Sequence, residues 1–322
     1  MLVHLIIRDA RDIAKLQHLP ELPEVVQFEQ PLTADGYRAL ASIIQDNPQI
    51  TLRAYGSDRE LAELRFLEWF PGLRRFSFAH LYGVESLEPL ARLAPELEFL
   101  NAGETKKALD LGPITQLTNL KELRVVSHRK GLTELLEANS GLRSLALWRL
   151  PLDRYLPAIP PSVDALALTL GSLTADQWPD AVGNLRYLAI RGVRGVNELK
   201  RLNEIEALEW LWLDDLTKLS ELPDFAQFRA LLRLDLTGLK SLREADALRS
   251  LSRAPRIEEL LVADSRLPVE AFRPLVGHPT LNRVGAGLGS ERRNDQVDEL
   301  LGKPIPSSFR DFAARIRVTQ ML

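Results

Sequence analysis

The motif L-x-x-L-x-L recurs along most of this chain, and its period restricts the fold more than any other feature. The copies are LRRFSF from Leu73, LEFLNA from Leu97, LKELRV from Leu120, LRSLAL from Leu142, VDALAL from Val163, LRYLAI from Leu185, LEWLWL from Leu208, LLRLDL from Leu231, IEELLV from Ile257 and LNRVGA from Leu281. Their starts lie 24, 23, 22, 21, 22, 23, 23, 26 and 24 residues apart. Three weaker copies precede them, LVHLII from Leu2, PEVVQF from Pro23 and QITLRA from Gln49, giving about thirteen turns. A period in this range is the mark of stacked supersecondary units rather than of one or two ordinary globular domains. Leucine supplies 63 of the 322 residues, roughly double ordinary usage, as a repeated apolar motif requires.

Within the motif the last four positions alternate polar and apolar. A period of two is a short strand with one buried face. The inward positions are Leu100, Leu123 and Val125, Leu145 and Leu147, Leu166 and Leu168, Leu188 and Ile190, Leu211 and Leu213, Leu234 and Leu236. Burying one leucine stabilises by roughly 1.5–3 kcal/mol. A single turn therefore falls short of its ordering entropy, and only the stack is stable.

In these copies the chain resembles the leucine-rich-repeat family, firmly from Leu73 to about Leu301 and loosely over residues 1–72. The resemblance implies an α/β solenoid: a curved arc with a parallel sheet on its concave face and helices or irregular returns on its convex face. One departure stands out. Family members often place Asn or Cys three residues after the last motif leucine, where Asn bonds the backbone of the turn. Here Leu81, Leu150, Val193, Leu216 and Leu239 occupy that place, with Thr105 and His128 as exceptions. The turn then has to satisfy its backbone by other means.

The returns vary. Ser57 to Glu60 reads as a capping box, followed by Leu61, Leu64, Leu67 and Phe70 at helical spacing. Thr33 opens a helix over DGYRALASIIQ, and Glu244–Ser252 and Pro268–Val276 also read as helices. The return 151–162 carries four prolines and cannot be helical throughout. Helices are thus expected near both ends of the array, with extended or 3₁₀ returns between. The solenoid is expected to span 1–301, with 1–72 as degenerate repeats. Residues 302–322 would form a helical cap, Ser308 capping it and Phe309, Phe312, Ala313 and Ile316 facing the last turn. The first strand begins at Leu2 with no clear cap before it, which leaves that edge open to a second copy or another partner.

Composition excludes much chemistry. Cysteine is absent, which removes disulfides, thiolate metal sites and cysteine nucleophiles. The net charge of −3 lacks the basic excess of a nucleic-acid binder. No run of eighteen apolar residues is present to cross a membrane, and MLVHLIIRDA is no secretory signal, so the cytoplasm is the expected compartment. His4, His18, His80, His128 and His278 show no metal-ligand spacing and read as surface or turn residues. The run Gly285-Ala-Gly287-Leu-Gly289-Ser290 fails the dinucleotide pattern, because its third glycine would fall at Ser290. The glycines read instead as outward strand positions without side chains. No catalytic residue, cofactor or metal site is expected, and the chain is read as a non-enzyme.

The outward strand positions carry the functional information. The middle column runs Ser77, Asn101, Arg124, Ala146, Ala167, Ala189, Trp212, Asp235, Leu261, Gly285. Trp148, Trp210 and Trp212 lie on this face, with Tyr187 beside Trp210, and Arg191, Asp214, Arg233 and Asp235 around them. Ala146, Ala167 and Ala189 leave a trough next to Trp212. Large aromatics and arginine make interface hot spots, so these eight residues are the expected site for a protein partner. Tryptophan platforms also stack on sugars, which keeps a carbohydrate or peptide ligand open. Strands favour aromatics in any case, and a ring among leucines also packs under a loop from a return; a register slip of one residue would send the rings inward. Trp69 and Trp178 fall in returns and read as core. Leu301, Gly302, Ile305, Pro306, Phe309 and Phe312 resemble the opening of the SUKH superfamily of toxin-immunity proteins, over fewer than thirty residues. That resemblance implies a toxin as the partner.

Overall fold

The structure is a computed structural model, and it describes residues 4–174, 183–199, 202 and 204–318. Trp178 lies outside these residues. The chain forms two compact units, Met1–Arg143 and Ser144–Leu322.

The first unit contains β1 (His4–Ile6), α1 (Ala10–Gln17), β2 (Val25–Phe28), α2 (Ala34–Asp46), β3 (Thr51–Ala54), α3 (Arg59–Ala62), β4 (Arg75–Ser77), α4 (Glu88–Ala91), β5 (Phe99–Ala102), β6 (Glu122–Val126) and α5 (Leu132–Glu137). The second contains β7 (Ser144–Trp148), β8 (Ala165–Thr169), β9 (Tyr187–Arg191), β10 (Trp210–Asp214), β11 (Arg233–Thr237), β12 (Glu259–Ala263), β13 (Arg283–Gly287), α6 (Glu291–Leu301) and α7 (Phe309–Arg315). Strand order is chain order, and within each unit neighbouring strands are parallel. Every strand begins two residues after a motif start, the three weak copies included. Residues 1–72 therefore contribute true strands, and the register read from the leucines holds.

The inward leucines form continuous buried rows. Leu52, Phe76, Leu100 and Leu123 align in the first unit. Leu145, Leu166, Leu188, Leu211, Leu234 and Leu260 align across the second. All are buried. Each row is shared by successive turns, so removing one turn would wet its neighbours.

The returns depart from expectation in detail. Thr33 caps α2 by accepting from the Gly36 amide at 3.1 Å, as its sequence suggests. At α3 the cap is Asp58 rather than Ser57, and the helix stops after Ala62. Leu64 takes a left-handed backbone with φ 57°, so the following turn, Arg65–Trp69, is 3₁₀. Arg249–Arg253 and Val269–Leu275 are likewise 3₁₀ turns, not α-helices. In the latter, Pro274 has no amide to donate. Conversely, α5 puts a helix mid-array. Its N-cap is Gly131 at φ 77°, where an added Cβ would lie 2.6 Å from the Gly112 nitrogen. Only glycine fits there. Trp69 is half-buried, stacked on Tyr37 with 6.2 Å between ring centroids.

Two buried polar groups satisfy backbone groups between turns. Of the surface and turn readings, His128 takes the turn one, in the return after β6, and it is fully buried. Its Nδ1 accepts from the Leu109 amide at 3.1 Å, and its Nε2 lies 2.9 Å from the Gly103 carbonyl. Asn139 accepts from the Leu120 amide and donates to the Leu135 carbonyl. Burial lowers the His128 pKa from its ordinary 6.5. The unfolded chain then binds a proton on acidification before the folded one does. Stability contributed by neutral His128 is complete above pH 6.5 and is lost as pH falls toward the lower folded value. His128→Gln is expected to lose less stability than wild type between pH 7 and pH 5 by urea titration.

The end of the stack is closed by α6, which packs on β13 and on the turn Val269–Leu275. The tail expected to do this goes elsewhere.

Candidate functional site

Seven of the eight expected site residues meet on the open face of the second unit. Tyr187, Trp210 and Arg233 are direct strand partners, and Glu259 continues the row. Ala189, Trp212 and Asp235 form the next row; Arg191, Asp214 and Thr237 form the third. Trp148 stands apart on β7, paired with Thr169.

What lies on this face is the chain's own C-terminal segment. After α6, Gly302 ends the helix with a left-handed φ of 62° and the chain turns back. The Val284 amide donates to the Pro304 carbonyl at 2.9 Å, and Arg283 donates to the Ile305 carbonyl at 2.9 Å. Arg233 donates to the Ser307 carbonyl at 2.7 Å. Phe309 stacks on Trp212 and Trp210, with centroids 4.7 and 5.7 Å apart. Phe312 meets Trp210 edge-on at 5.4 Å. Ala313, Ile316 and Val318 join Ala146, Ala167 and Ala189 in one buried cluster, so the alanine trough is filled. Arg186 donates to the Ile316 carbonyl, and Arg315 pairs with Glu258. The apolar face of α7 was correctly read from the sequence; its seat is the aromatic patch, not the last turn.

The contact is charged as well as apolar. Arg233 is 1% exposed and Asp235 0%. Arg233 forks onto Asp235 with bonds of 2.8 and 3.0 Å and reaches Glu259 at 3.1 Å. Glu259 in turn accepts from the Ser307 amide at 2.9 Å and hydroxyl at 2.7 Å. Trp210 donates its indole N–H to Asp235. Burial pushes the Asp235 carboxyl above its usual range, against the opposing pull of Arg233 and Trp210. Burial raises the Tyr187 phenol too. Glu259 and Ser307, which complete this network, were not singled out by sequence reading. Their signal was available only as an acid on the outward side of β12.

At the rim, Arg191 lies 4.3 Å from the centroid of Trp212 and 3.4 Å from Asp214. Thr237 links Asp214 to the Trp212 indole. Trp212 is 6% exposed, while Trp148 is 37% exposed. Of the eight expected residues, Tyr187, Trp210, Trp212, Arg233 and Asp235 are thus closed to an outside ligand while the segment is seated. The rings that would have stacked on a sugar or a partner stack on Phe309.

Gly285 explains the glycine run. An added Cβ there would lie 3.0 Å from Pro306 Cδ, so the strand leaves room for the crossing segment. Gly285→Leu is expected to cost about 1–3 kcal/mol through overpacking and to make residues 303–318 the first site of limited proteolysis. An unchanged melting curve and cleavage pattern would sink this account.

The first unit's face differs. Its middle row is Gln27, Arg53, Ser77, Asn101 and Arg124. Arg53, Asn101 and Arg124 remain partly open. Arg53 lies 4.9 Å from the Tyr55 ring centroid, and Arg75 4.6 Å from that of Phe99. Arg75 also forks onto Glu122 at 2.9 and 3.3 Å. Among the described residues no group of three or more histidines and acids could hold a metal, and no helix is long and apolar enough to cross a membrane.

No family profile and no curated protein matches the sequence. Solved structures do match. An internalin (inlF) from Listeria monocytogenes aligns over 81% of this chain and 78% of its own, at 16% identity and a TM-score of 0.51. The TLR13 chain of a TLR13–ssRNA13 complex aligns over 94% of this chain at 17% identity and a TM-score of 0.53; the match spans half of TLR13. The fold is the leucine-rich-repeat solenoid. Identities this low establish the fold alone. The residues that resemble the opening of SUKH have other work in this solenoid, and no SUKH domain is shown. Gly302 ends α6, Pro306 passes Gly285, and Phe309 and Phe312 pack on the tryptophans.

Proposed function

We propose that this leucine-rich-repeat chain is a non-enzymatic protein-binding scaffold that holds a polypeptide partner on the open face of its first unit. One observation carries the reading: the same kind of face, in the second unit, already holds a polypeptide. There the outward arginines Arg233 and Arg283 donate to main-chain carbonyls of residues 303–318, and aromatic rings pack its side chains. The aromatic patch is accordingly the seat of the chain's own segment, and the first unit's face is the one left for an external partner.

Site-directed photocrosslinking tests this. A benzophenone side chain at Asn101, on the open face, is compared with one at Gln116, on an exposed return. A discrete crosslinked protein at position 101 and none at 116 is expected. Equal labelling, or labelling only at 116, would move the partner off the sheet.

A further inference from the structure

The seat of residues 303–318 is built as a peptide site is built, and the stack is closed without it, by α6 on β13. Many of the segment's ties run to its main chain. The Val284 amide donates to the Pro304 carbonyl, Arg283 to that of Ile305, Arg233 to that of Ser307 and Arg186 to that of Ile316, while Glu259 accepts the Ser307 amide. Such bonds follow a path and not a sequence. Specificity comes from α7 and its end. Phe309, Phe312, Ala313 and Ile316 face the sheet at i, i+3, i+4 and i+7, while Arg310, Asp311, Ala314 and Arg315 lie exposed. These are the anchors of an amphipathic helix laid in a groove. The floor of the groove is also complete by itself. Arg233 has Asp235 and Glu259 as partners, and Trp210 has Asp235, all on the sheet. Departure of the segment leaves those three charges paired and wets two rings and an alanine trough. An ion pair that it gives up, Arg315 with Glu258, is partly exposed, and such pairs contribute little.

We propose that this groove is an exchangeable binding surface: residues 303–318 are its tethered occupant, and a segment of another protein displaces them. The ligand it fits is a short amphipathic helix with two aromatic residues three positions apart and a serine two residues before the first. The serine answers Glu259, which takes the Ser307 amide at 2.9 Å and hydroxyl at 2.7 Å. The first aromatic answers the stacking faces of Trp212 and Trp210, and the second meets Trp210 edge-on. Aliphatic residues one turn further fill the trough of Ala146, Ala167 and Ala189. The tether makes the segment a gate, because a linked occupant competes at an effective concentration in the millimolar range. Exchange with the tail of a second copy would gain no contact and lose the freedom of two molecules. A longer external ligand gains where its flank reaches Trp148, which is 37% exposed on β7 two residues from Ala146. This inference goes beyond the scaffold reading, which concerns the first unit, and is independent of it.

The probe is a labelled synthetic peptide of residues 303–318, titrated into the full wild-type chain and into full-length Phe309→Ala/Phe312→Ala, whose tail has lost its anchors. The variant should bind the peptide, and wild type should bind it about a hundredfold more weakly because its tethered copy competes. Binding should return the variant's tryptophan emission toward the wild-type maximum, and a peptide with both phenylalanines changed to alanine should have no effect. In wild type alone, hydrogen exchange should find the Phe312 and Ile316 amides, which bond within α7, opening about tenfold or more faster than those of β10 and β11. Equal protection of the two sets would make the segment a fixed part of the core and overturn the proposal, and this measurement decides the matter even where the variant does not fold. A folded variant that ignores the peptide, or equal binding by variant and wild type, would also overturn it. Wild-type dimers that exchange tails, seen by light scattering and by mixing labelled copies, would assign the seat to a second copy in place of an external partner. Each of these results leaves the reading of the first unit untouched.

Discussion

Replacing Phe312 by alanine is expected to destabilise the second unit by about 3–5 kcal/mol, the range for emptying a buried aromatic site. Phe312 is fully buried, lies edge-on to Trp210 at 5.4 Å, and has the Arg233 guanidinium 5.2 Å from its ring centre. Its loss removes apolar area from both α7 and the sheet, and also removes the aromatic pairing, worth about 0.5–1.5 kcal/mol beyond area. Trp210 and Trp212 sit under this helix, so their emission should shift to the red as the segment loosens. The alanine trough would be wetted at the same time, since Ile316 and Val318 share the cluster. The measurement is a urea titration followed by tryptophan fluorescence and by circular dichroism. A variant that keeps both its midpoint and its emission maximum would mean that the segment only rests on the face. Phe309→Ala should cost less, because Phe309 is only partly buried.

Arg233→Met should cost a similar or larger amount, about 3–5 kcal/mol, for an electrostatic reason. The substitution fills much of the same volume but leaves Asp235 buried without its cation and Glu259 with only Arg283, at 3.9 Å. It also removes the donor to the Ser307 carbonyl, a main tie of the tail. The sign of the pH response identifies the cause. Burial already raises the Asp235 pKa, and Arg233 opposes it. The folded protein already takes up a proton at Asp235 at higher pH than the unfolded chain does, and without Arg233 that difference widens. A group with a raised folded pKa adds stability as pH falls toward its unfolded value. Relative to wild type, the variant should therefore gain stability from pH 7 toward pH 5, opposite in sign to the contribution of His128. Arg233→Met/Asp235→Leu should recover part of the loss, a non-additivity expected of residues in contact. A variant whose stability falls on acidification as wild type does would assign the loss to packing instead.

Much of the architecture was legible because repeats make local information redundant. All thirteen strands start where the motif places them, and even the degenerate copies at Leu2, Pro23 and Gln49 are strands. The apolar alternation survives these weak copies because each strand needs only a few buried residues to join a row. The returns were less legible. Glu244–Ser252 and Pro268–Val276 have helical spacing, yet the turns there, Arg249–Arg253 and Val269–Leu275, are 3₁₀, and in the second Pro274 has no amide to donate. Surface and turn were both open for His128, because a lone histidine carries no sign of burial; it is a buried turn residue.

The candidate site divides the same way. Alternation along β9, β10 and β11 brought Tyr187, Trp210, Trp212, Arg233 and Asp235 to one face, and the helix Phe309–Arg315 was marked by its cap and apolar stripe. That these two surfaces are each other's partner was decided only in three dimensions. Periodicity reports which side of an element is apolar, not which other apolar surface it meets; many pairings would bury similar area. Here the choice rests on terms without a sequence period. They are the reversal at Gly302, the clearance at Gly285, and the Arg233–Glu259–Ser307 network that locates the crossing. The repeat thus determined the strands, their register and the two kinds of face, because burial of leucine acts over a few residues. The tertiary structure alone determined which face is filled, because that depends on contacts between residues 74 positions apart, as Arg233 and Ser307 are.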